Sequence, residues 1–262
     1  REYKKALLNE KGSDSGDVYM LIGIEYKDIG DYDNAIIYLK KALETGFDDR
    51  ELFYQLALCY SIIGELEESL NYYKKYINND VLNSFAWYEL GLLYMRQGNY
   101  DMAIESFDYA ILLDNKFEDA YIEKANTLML KKDYSGSISV IDCLLEIENN
   151  NAVGYVYKGM CSEKMGNYIR AICYYNEALK IDMYSSEALV GLGVCYGYLG
   201  DYENAILTVK RGIKYDNINT DYWIILGNLY LKQGNYRKAR LAYKKSGICK
   251  ELVDNSAIID SI

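Results

Sequence analysis

Residues 87–107 have the sequence WYELGLLYMRQGNYDMAIESF, which contains two amphipathic patterns separated by a break. On both sides of the break, apolar or small residues recur at intervals of three and four, the spacing of one helix face. They are Trp87, Leu90, Gly91 and Tyr94 before the break and Tyr100, Ala103, Ile104 and Phe107 after it. Gly98 and Asn99 form the break, since glycine ends helices and asparagine caps their amino ends. The stretch predicts two helices joined by a tight turn.

This pattern recurs along the chain with a period of 34. We call the first helix of each copy helix A and the second helix B. A small residue of helix A recurs at Gly23, Ala57, Gly91, Ala125, Gly159, Gly193 and Gly227. A small residue of helix B recurs twelve positions later, at Ala35, Ser69, Ala103, Ser137, Ala171, Ala205 and Ala239. The period predicts seven copies of one helical pair.

The turn between the two helices has the same chemistry in nearly every copy. Glycine, which tolerates positive φ, ends helix A in six copies, and Lys132 takes its place in the fourth. Aspartate or asparagine follows in six copies and can cap helix B, while Glu65 is the weaker exception. We expect the same helix break in all seven copies.

The period of 34, the W-x2-L-G-x2-Y core at residues 87–94 and 223–230, and the Ala103 and Phe107 pair resemble the tetratricopeptide repeat (TPR) family, in its multi-repeat bacterial type. The resemblance covers residues 16–253 and implies an all-α fold, a right-handed α-α superhelix (a TPR solenoid) of seven helix-turn-helix repeats. The repeats would be 16–49, 50–83, 84–117, 118–151, 152–185, 186–219 and 220–253. Residues 1–15 are expected to hold the end of a preceding repeat and a loop, and residues 254–262 a C-terminal tail.

The chain contains no proline, although the family usually has one near the end of each repeat. Aspartates that favour turns lie beside these places, at Asp80, Asp114, Asp182 and Asp216. We therefore expect a break between repeats that is enforced less rigidly than in the family.

Charge and composition exclude several classes of partner and of reaction. The formal net charge of −10 opposes binding to a phosphate backbone, and no apolar run is long enough to span a bilayer. The absence of histidine removes Ser-His-Asp triads and histidine-bearing zinc sites. We expect neither nucleic acid nor membrane as a partner, no catalytic residue, metal or cofactor, and no enzyme activity within this chain.

The six cysteines are expected to be structural thiols. Cys59, Cys161 and Cys195 occupy one helix-A position where a small buried residue is needed, and no C-x2-C pair exists. Free thiols favour a reducing compartment, so we expect a cytoplasmic location. The chain begins at Arg1 rather than Met, which leaves a removed N-terminal signal open.

The resemblance implies that helix A lines a concave face on which ligands bind. The candidate peptide-binding residues on that face are Tyr54, Leu58, Tyr88, Leu92, Ile122, Asn126, Met160 and Asn228. They are mostly apolar, so we expect hydrophobic anchoring of an extended or helical peptide, with the asparagine amides available to its backbone. Curvature of the array could instead bury part of this set.

A second candidate feature is an acidic rim in the first turn of helix A, formed by Asp17, Glu51, Asp119, Glu187 and Asp221. It suggests a partner with basic residues. The alternative is that these acids only complement the helix dipole. The lysine and arginine cluster with which some TPR proteins hold a terminal carboxylate is missing, so that activity is not expected.

Lys124 and Lys158 occupy a helix-A position that is otherwise apolar. Either their stems pack while their ammonium groups reach outward towards Glu123 or Glu163, or they form an anion site.

These observations favour a non-catalytic scaffold that binds a protein or peptide. Two alternatives stay open: a targeting or regulatory arm of a larger enzyme, and a structural assembler that self-associates through its ends.

Overall fold

The computed structural model describes residues 16–47, 49–79 and 82–247. Within them the chain forms 14 α-helices and no strand, which confirms the all-α repeat fold. The helices A are α1 (Gly16–Asp28), α3 (Arg50–Ile63), α5 (Ser84–Arg96), α7 (Glu118–Leu130), α9 (Ala152–Lys164), α11 (Ser186–Tyr198) and α13 (Thr220–Lys232). The helices B are α2 (Tyr32–Glu44), α4 (Leu66–Asn79), α6 (Tyr100–Leu113), α8 (Tyr134–Ile147), α10 (Tyr168–Ile181), α12 (Tyr202–Tyr215) and α14 (Tyr236–Lys245).

The first residues of successive helices A keep the period of 34 throughout, and so do those of successive helices B. The chain divides at Thr127, within α7, into two compact units. The segments 1–15 and 254–262, together with Asp80, lie outside the described residues.

Where the small residue of helix A is glycine, an apolar side chain of helix B packs directly against it. In the first unit, Phe107 is fully buried on α6 and its ring faces Gly91 of α5. A Cβ atom added at Gly91 would lie only 2.5 Å from this ring, so the pair cannot pack as closely around a larger residue. Tyr175 and Gly159 repeat the arrangement in the second unit, where the corresponding separation is 2.6 Å.

The turn inside each repeat has the predicted positive φ, also in the fourth repeat, where Lys132 takes the place of glycine. Gly98 has φ of +75° and the other five turn glycines have similar positive values, while Lys132 adopts φ of +64° without being glycine. The following residue caps helix B in most repeats, as where Asp31 accepts from the backbone N–H of Asn34 at 3.3 Å. Asn99 differs, since its side chain makes no capping hydrogen bond.

Aspartate side chains close the turns between repeats where the family pattern would place proline. The Asp114 carboxylate accepts from the backbone N–H of Lys116 at 3.0 Å, and that of Asp182 accepts from Tyr184 at 2.9 Å. Asp216 accepts from the N–H groups of both Ile218 and Asn219. The expected breaks are therefore present at these three turns. At each of them, a backbone N–H group donates to the aspartate carboxylate where the family pattern would have a proline.

Candidate functional site

Tyr54 lies on α3 in the first unit, half-buried, with its ring against the tyrosines of α4. Its ring centroid is 5.1 Å from that of Tyr76 and 6.0 Å from that of Tyr73, the latter in edge-to-face contact. Such contacts fix the orientation of an aromatic ring without covering it completely. Tyr54 is therefore a rigid, partly accessible aromatic surface.

Tyr88 lies at the equivalent position of the next repeat, on α5, in a similar setting. It packs on Phe107 at 5.9 Å, on Phe117 at 5.0 Å and on Phe85 at 6.0 Å between ring centroids. Like Tyr54 it is half-buried. Two adjacent repeats thus present a fixed tyrosine at the same register.

Nearby carboxylates contribute to the pKa of both tyrosines. Burial, followed by the negative charges of Glu89 and Glu51, raises the pKa of Tyr54 to about 12. Burial, followed by Glu123 and Asp119, raises the pKa of Tyr88 to about 12. Both phenols therefore stay neutral at physiological pH, within a negatively charged environment.

Glu89 is half-buried, and burial raises the pKa of its carboxyl above the ordinary value, opposed by Arg96. No described residue donates a hydrogen bond to this carboxylate or forms an ion pair with it. An ionised carboxylate held in this way is a cost to the folded state unless a ligand or solvent satisfies it.

Leu58 and Leu92 are half-buried and pack beside Tyr54 and Tyr88 on the core of the first unit. Ile122 and Asn126 lie half-buried on α7 of the same unit. The side-chain amide of Asn126 donates to the carboxylate of Glu123 at 3.2 Å, so one of its two N–H donors is already engaged. The first unit therefore contains six of the eight candidate residues.

Met160 and Asn228 belong to the second unit and are both exposed. The side-chain oxygen of Asn228 accepts a hydrogen bond from the hydroxyl of Tyr243, which leaves its N–H₂ group and one lone pair of the oxygen for a peptide backbone. These two candidates therefore lie outside the aromatic clusters that hold Tyr54 and Tyr88 in the first unit.

The five residues of the acidic rim lie where predicted, in the first turns of α1, α3, α7, α11 and α13. The exposed members are Asp17, Asp119, Glu187 and Asp221. Glu51 is half-buried and accepts from the side-chain amide of Gln55 at 2.7 Å, while that amide's oxygen accepts from Lys27 at 2.8 Å. The position in the first turn suits the helix dipole in each case.

Two features of this surface were missed by the sequence analysis. The first is the effect of the Glu89 charge on the pKa of Tyr54 and of the Glu123 charge on that of Tyr88. The available signal was that Glu89 and Glu123 occupy the same register of successive repeats. The second is Tyr73, which is 0% exposed and whose hydroxyl has no hydrogen-bond partner. Tyr73 touches the ring of Tyr54, so both features meet on the same side of the first unit.

Models of the tetratricopeptide repeat match the chain over most of its length. The matched residues are 16–45, 51–80, 84–117, 154–182 and 192–247. The chain belongs to the tetratricopeptide repeat family. The matches leave out residues 118–153, the repeat that contains Lys124 and Lys132.

Solved TPR structures have the same fold at low sequence identity. A TPR protein from Parabacteroides merdae aligns with a TM-score of 0.74 at 16% identity, over 94% of this chain and 96% of its own. The C-terminal part of a TPR protein from Cytophaga hutchinsonii gives 0.72 at 15% identity, over 93% and 99%. YrrB, described as a TPR protein with an unusual peptide-binding site, gives 0.54 at 21% identity, over 70% and 95%. Comparison with curated proteins gives no match.

The two lysines in the apolar TPR position are each neutralised by an aspartate of the preceding helix B. Lys124 lies 2.5 Å from Asp108, and Lys158 lies 2.5 Å from Asp142. The expectation that Glu123 or Glu163 would be the partner is wrong. Glu123 is one position from Lys124 and Glu163 is five positions from Lys158, and neither spacing places two side chains on the same face of a helix. Glu163 instead accepts from the hydroxyl of Tyr175 at 3.0 Å. With a carboxylate on each ammonium group, the anion-site alternative has no support.

The thiols of the TPR core are buried and unpaired. Cys59, Cys161 and Cys195 are buried free cysteines, and Cys143 and Cys173 are exposed ones, while Cys249 lies outside the described residues. Burial raises the pKa of Cys59 to about 11 and that of Cys195 to about 12, so both thiols stay protonated. The part of the chain that the structure describes contains no cluster of metal-ligating side chains.

None of the helices described here combines the length and the apolar character needed to cross a bilayer.

Proposed function

We propose that this TPR chain is a non-catalytic scaffold that binds a protein partner through a peptide segment laid across the helix-A surface of repeats two and three. Tyr54, Leu58, Tyr88 and Leu92 supply the apolar contacts. The observation that supports the proposal most directly is the pair of half-buried tyrosines, held by ring contacts at the same register of adjacent repeats.

Aromatic residues of this kind are frequent binding hot spots, because they offer a large area at a low cost in conformational entropy. Leu58 and Leu92 extend the apolar surface along the helices. The neighbouring carboxylates, together with the acidic rim, favour a segment with basic residues.

The test begins with a random dodecapeptide library displayed on phage and selected against the whole chain. A selected peptide, labelled with fluorescein, is then titrated in anisotropy measurements against the wild type and against a Tyr54→Ile, Tyr88→Ile variant. Isoleucine or valine is native at this register, at Ile122, Val156 and Val190, so the variant should fold. We expect its affinity to fall by about 10-fold or more, as for loss of interface hot spots.

The matched control is the Ile37→Ala, Leu112→Ala variant, which alters two exposed helix-B residues of the same unit. Its affinity should equal that of the wild type. Equal binding by the tyrosine variant, with unchanged helicity, would refute this surface as the binding site. A second variant, Leu58→Asn with Leu92→Asn, checks the result with a residue native to the same register at Asn126 and Asn228.

We further propose a cytoplasmic location, supported by buried free thiols that a reducing compartment preserves. Fractionation of source cells with an antibody against the chain tests this directly. Recovery in the cytoplasmic fraction is expected, and recovery in an exported fraction would contradict it.

A further inference from the structure

We propose that a cavity of the seventh repeat, lined by α12, α13 and α14, binds an aromatic side chain of a partner protein that carries acidic residues on both sides of the ring in sequence. We call it the repeat-seven cavity. It lies in the second unit, whereas Tyr54 and Tyr88 lie in the first. The inference therefore goes beyond the binding surface proposed above and does not depend on it.

The repeat-seven cavity has a volume of about 710 Å³. Pockets that hold a ligand commonly measure roughly 300–1,000 Å³ and are mostly apolar. Leu241, on its lining, is 56% exposed, so the cavity is reached from solvent. The apolar residues that line it are Ile213 of α12, Trp223, Leu226 and Tyr230 of α13, and Leu241 and Ala242 of α14.

In the second repeat, an aromatic ring of the chain itself occupies the corresponding place. Tyr72 of helix B stacks on two rings of helix A, with centroid distances of 6.4 Å to Phe53 and 5.6 Å to Tyr60. The planes of the Tyr72 and Tyr60 rings differ by only 4°. In the first repeat, Tyr38 stacks on Tyr26 at the same two registers, with 5.3 Å between centroids. A third ring against two rings of helix A is therefore a native arrangement of this fold.

In the seventh repeat, both helix-A rings are present and the helix-B ring is replaced by a methyl group. Trp223 and Tyr230 occupy the registers of Phe53 and Tyr60, and Ala242 occupies that of Tyr72. All three residues line the repeat-seven cavity. Because stacked and edge-to-face ring contacts are favourable beyond the area they bury, a ligand ring placed here gains two aromatic partners.

The third repeat shows what distinguishes the seventh. It also has a small residue, Ser106, at the register of Ala242, but there the ring of Tyr109 stacks on Trp87 with 4.4 Å between centroids. The seventh repeat has Lys245 at the register of Tyr109. A cation therefore lies beside the open place in the seventh repeat, where the third repeat has a ring.

The charge around the repeat-seven cavity indicates an anionic partner segment. Four lysines contribute to its lining, and all four are exposed. No ion pair among the described residues involves any of them. In a chain of formal net charge −10, this group of cations reverses the local charge, and charge complementarity favours acidic residues on the partner. The lysines are Lys210 of α12 and Lys238, Lys244 and Lys245 of α14.

The spacing of the lysines favours several carboxylates over a single one. Lys238 and Lys245 are seven residues apart, which is about 10 Å along a helix that rises about 1.5 Å per residue. An extended peptide rises about 3.3 Å per residue, so acidic residues three positions apart cover the same distance. Acids on both sides of an aromatic residue therefore suit these lysines.

In the free protein, the two lysines lie over the rings that the ligand would contact. The Nζ atom of Lys245 is 4.3 Å from the Trp223 ring centroid, and that of Lys238 is 5.6 Å from the Tyr230 centroid. Cation–π contacts of exposed lysines are weak, so a carboxylate of the ligand can draw each ammonium group aside while its ring takes the place over the aromatic residues.

The chain's own residues 248–262 contain three acidic residues and no aromatic one, so they cannot supply the ring. The experiment therefore uses peptides capped at both ends and titrated into the whole chain in a calorimeter. Their sequences are GSEEFEESG, GSEELEESG, which lacks the ring, and GSQQFQQSG, which lacks the charges. We expect the first to bind about 10-fold more tightly than either of the others, as for loss of one interface hot spot.

Replacement of Ala242 tests the place of the ring. Ala242→Tyr restores the residue found at this register as Tyr38 and Tyr72, and it should lower the affinity for GSEEFEESG by about 10-fold or more by occupying the cavity. Ala242→Val, with valine native at Val140, should give a smaller loss. Valine adds less volume than tyrosine, so the two variants form a graded series even if one of them folds poorly.

Replacement of two lysines tests the charges. Lys238→Gln with Lys245→Gln should weaken binding of GSEEFEESG by about 3- to 10-fold, the scale of two exposed ion pairs, and leave GSQQFQQSG unaffected. The matched control is Lys214→Gln with Lys232→Gln, which removes the same charge from two exposed lysines of the same unit that do not line the cavity. The control should change little.

Trp223 reports where the peptide binds. The chain has two tryptophans, and Trp87→Phe leaves Trp223 as the only one, with phenylalanine native at this register as Phe53. The emission of Trp223 should change as GSEEFEESG binds, with the affinity found by calorimetry. Binding that leaves this emission unchanged would overturn the inference.

Equal affinity for the three peptides would also overturn the inference, as would full binding by a folded Ala242→Tyr variant. An equal loss from the control lysine pair would show only general attraction to cations. Self-association in sedimentation that Ala242→Tyr abolishes would place a second copy in the cavity and contradict an acidic partner segment. The Tyr54→Ile, Tyr88→Ile variant should bind GSEEFEESG normally, and a loss there would assign the peptide to the first unit and overturn this site alone.

Discussion

Lys124 of α7 and Asp108 of α6 form an ion pair at 2.5 Å, and the same pair recurs one repeat later between Lys158 and Asp142. The lysine side chains are only 19% and 12% exposed. In the other repeats this helix-A position is apolar. Four of them have leucine there, and in those four the helix-B position that corresponds to Asp108 is lysine or asparagine. The leucines are Leu56, Leu90, Leu192 and Leu226. Two residue combinations therefore occur at this contact. Helix A has leucine and helix B an exposed lysine or asparagine, or helix A has lysine and helix B aspartate.

Replacing the lysine and aspartate combination by the leucine and lysine combination tests this relationship. Asp108→Lys should lower the free energy of unfolding by about 1–2 kcal/mol, between the values for exposed and buried pairs, because it places two cations together. Adding Lys124→Leu should restore most of the loss by recreating the pattern of the second and third repeats. Urea unfolding of the two single variants and the double variant gives the coupling energy, and additive effects would contradict direct contact.

A glycine at Lys132 should stabilise the protein. Lys132 adopts φ of +64°, where six equivalent residues are glycine, and a residue with a Cβ pays about 1–2 kcal/mol in this conformation. Since glycine also loses more entropy on folding, we expect Lys132→Gly to gain about 0.5–1 kcal/mol. Gly166→Ala, at the same turn of the next repeat, should lose a comparable amount. Denaturant unfolding measures both, and a loss of stability with Lys132→Gly would show that this turn is not strained.

Tyr73 and Tyr175 occupy the same register and should respond oppositely to loss of the hydroxyl group. The Tyr73 hydroxyl has no partner, so Tyr73→Phe should raise the free energy of unfolding by about 1 kcal/mol. The Tyr175 hydroxyl donates to Glu163, so Tyr175→Phe should lower it by about 1 kcal/mol. Phenylalanine is native here at Phe107. Two changes of the same sign in thermal or urea unfolding would disprove the assignment of partners.

Glu89 should make stability depend on pH in the direction opposite to that of an ordinary surface carboxylate. Burial raises its pKa, so the folded state holds the proton more tightly than the unfolded state. The contribution of this group to the free energy of unfolding is complete at pH values below its pKa in the unfolded state. It is lost as the pH rises through its pKa in the folded state. Glu89→Gln should therefore be more stable than the wild type at pH 7, with a smaller difference at pH 4. An equal difference at both values would show that the carboxyl titrates normally.

The fold could be predicted from the sequence because it depends on features with a fixed period. Gly91, Phe107 and Asn99 recur as types in successive repeats, and each determines a local contact or a turn. The absence of proline did not prevent the breaks between repeats, since Asp114 and Asp182 supply side-chain turns in its place. Asn99 shows the limit of such reasoning, because a good capping residue at the right position makes no capping bond.

The candidate site could be predicted only in part. The rows that contain Tyr54 and Tyr88 follow from the helical register, but the effect of Glu89 and Glu123 on the pKa of these tyrosines depends on how consecutive repeats pack. The partner of Lys124 was missed for the same reason, since Asp108 is on the preceding helix and Glu123, adjacent in sequence, faces elsewhere. Comparison among the repeats themselves, as for leucine and lysine at this position, would have revealed the pair.

The central claim, that a peptide binds the helix-A surface of repeats two and three, is tested most directly by photo-crosslinking. A benzoylphenylalanine is introduced in place of Leu92, and in a control protein in place of Leu112, which is exposed on helix B of the same repeat. Mass spectrometry then measures the crosslink to a library-selected peptide. The account predicts an abundant crosslink from position 92 and a weak one from position 112, and a crosslink from 112 with none from 92 would contradict it.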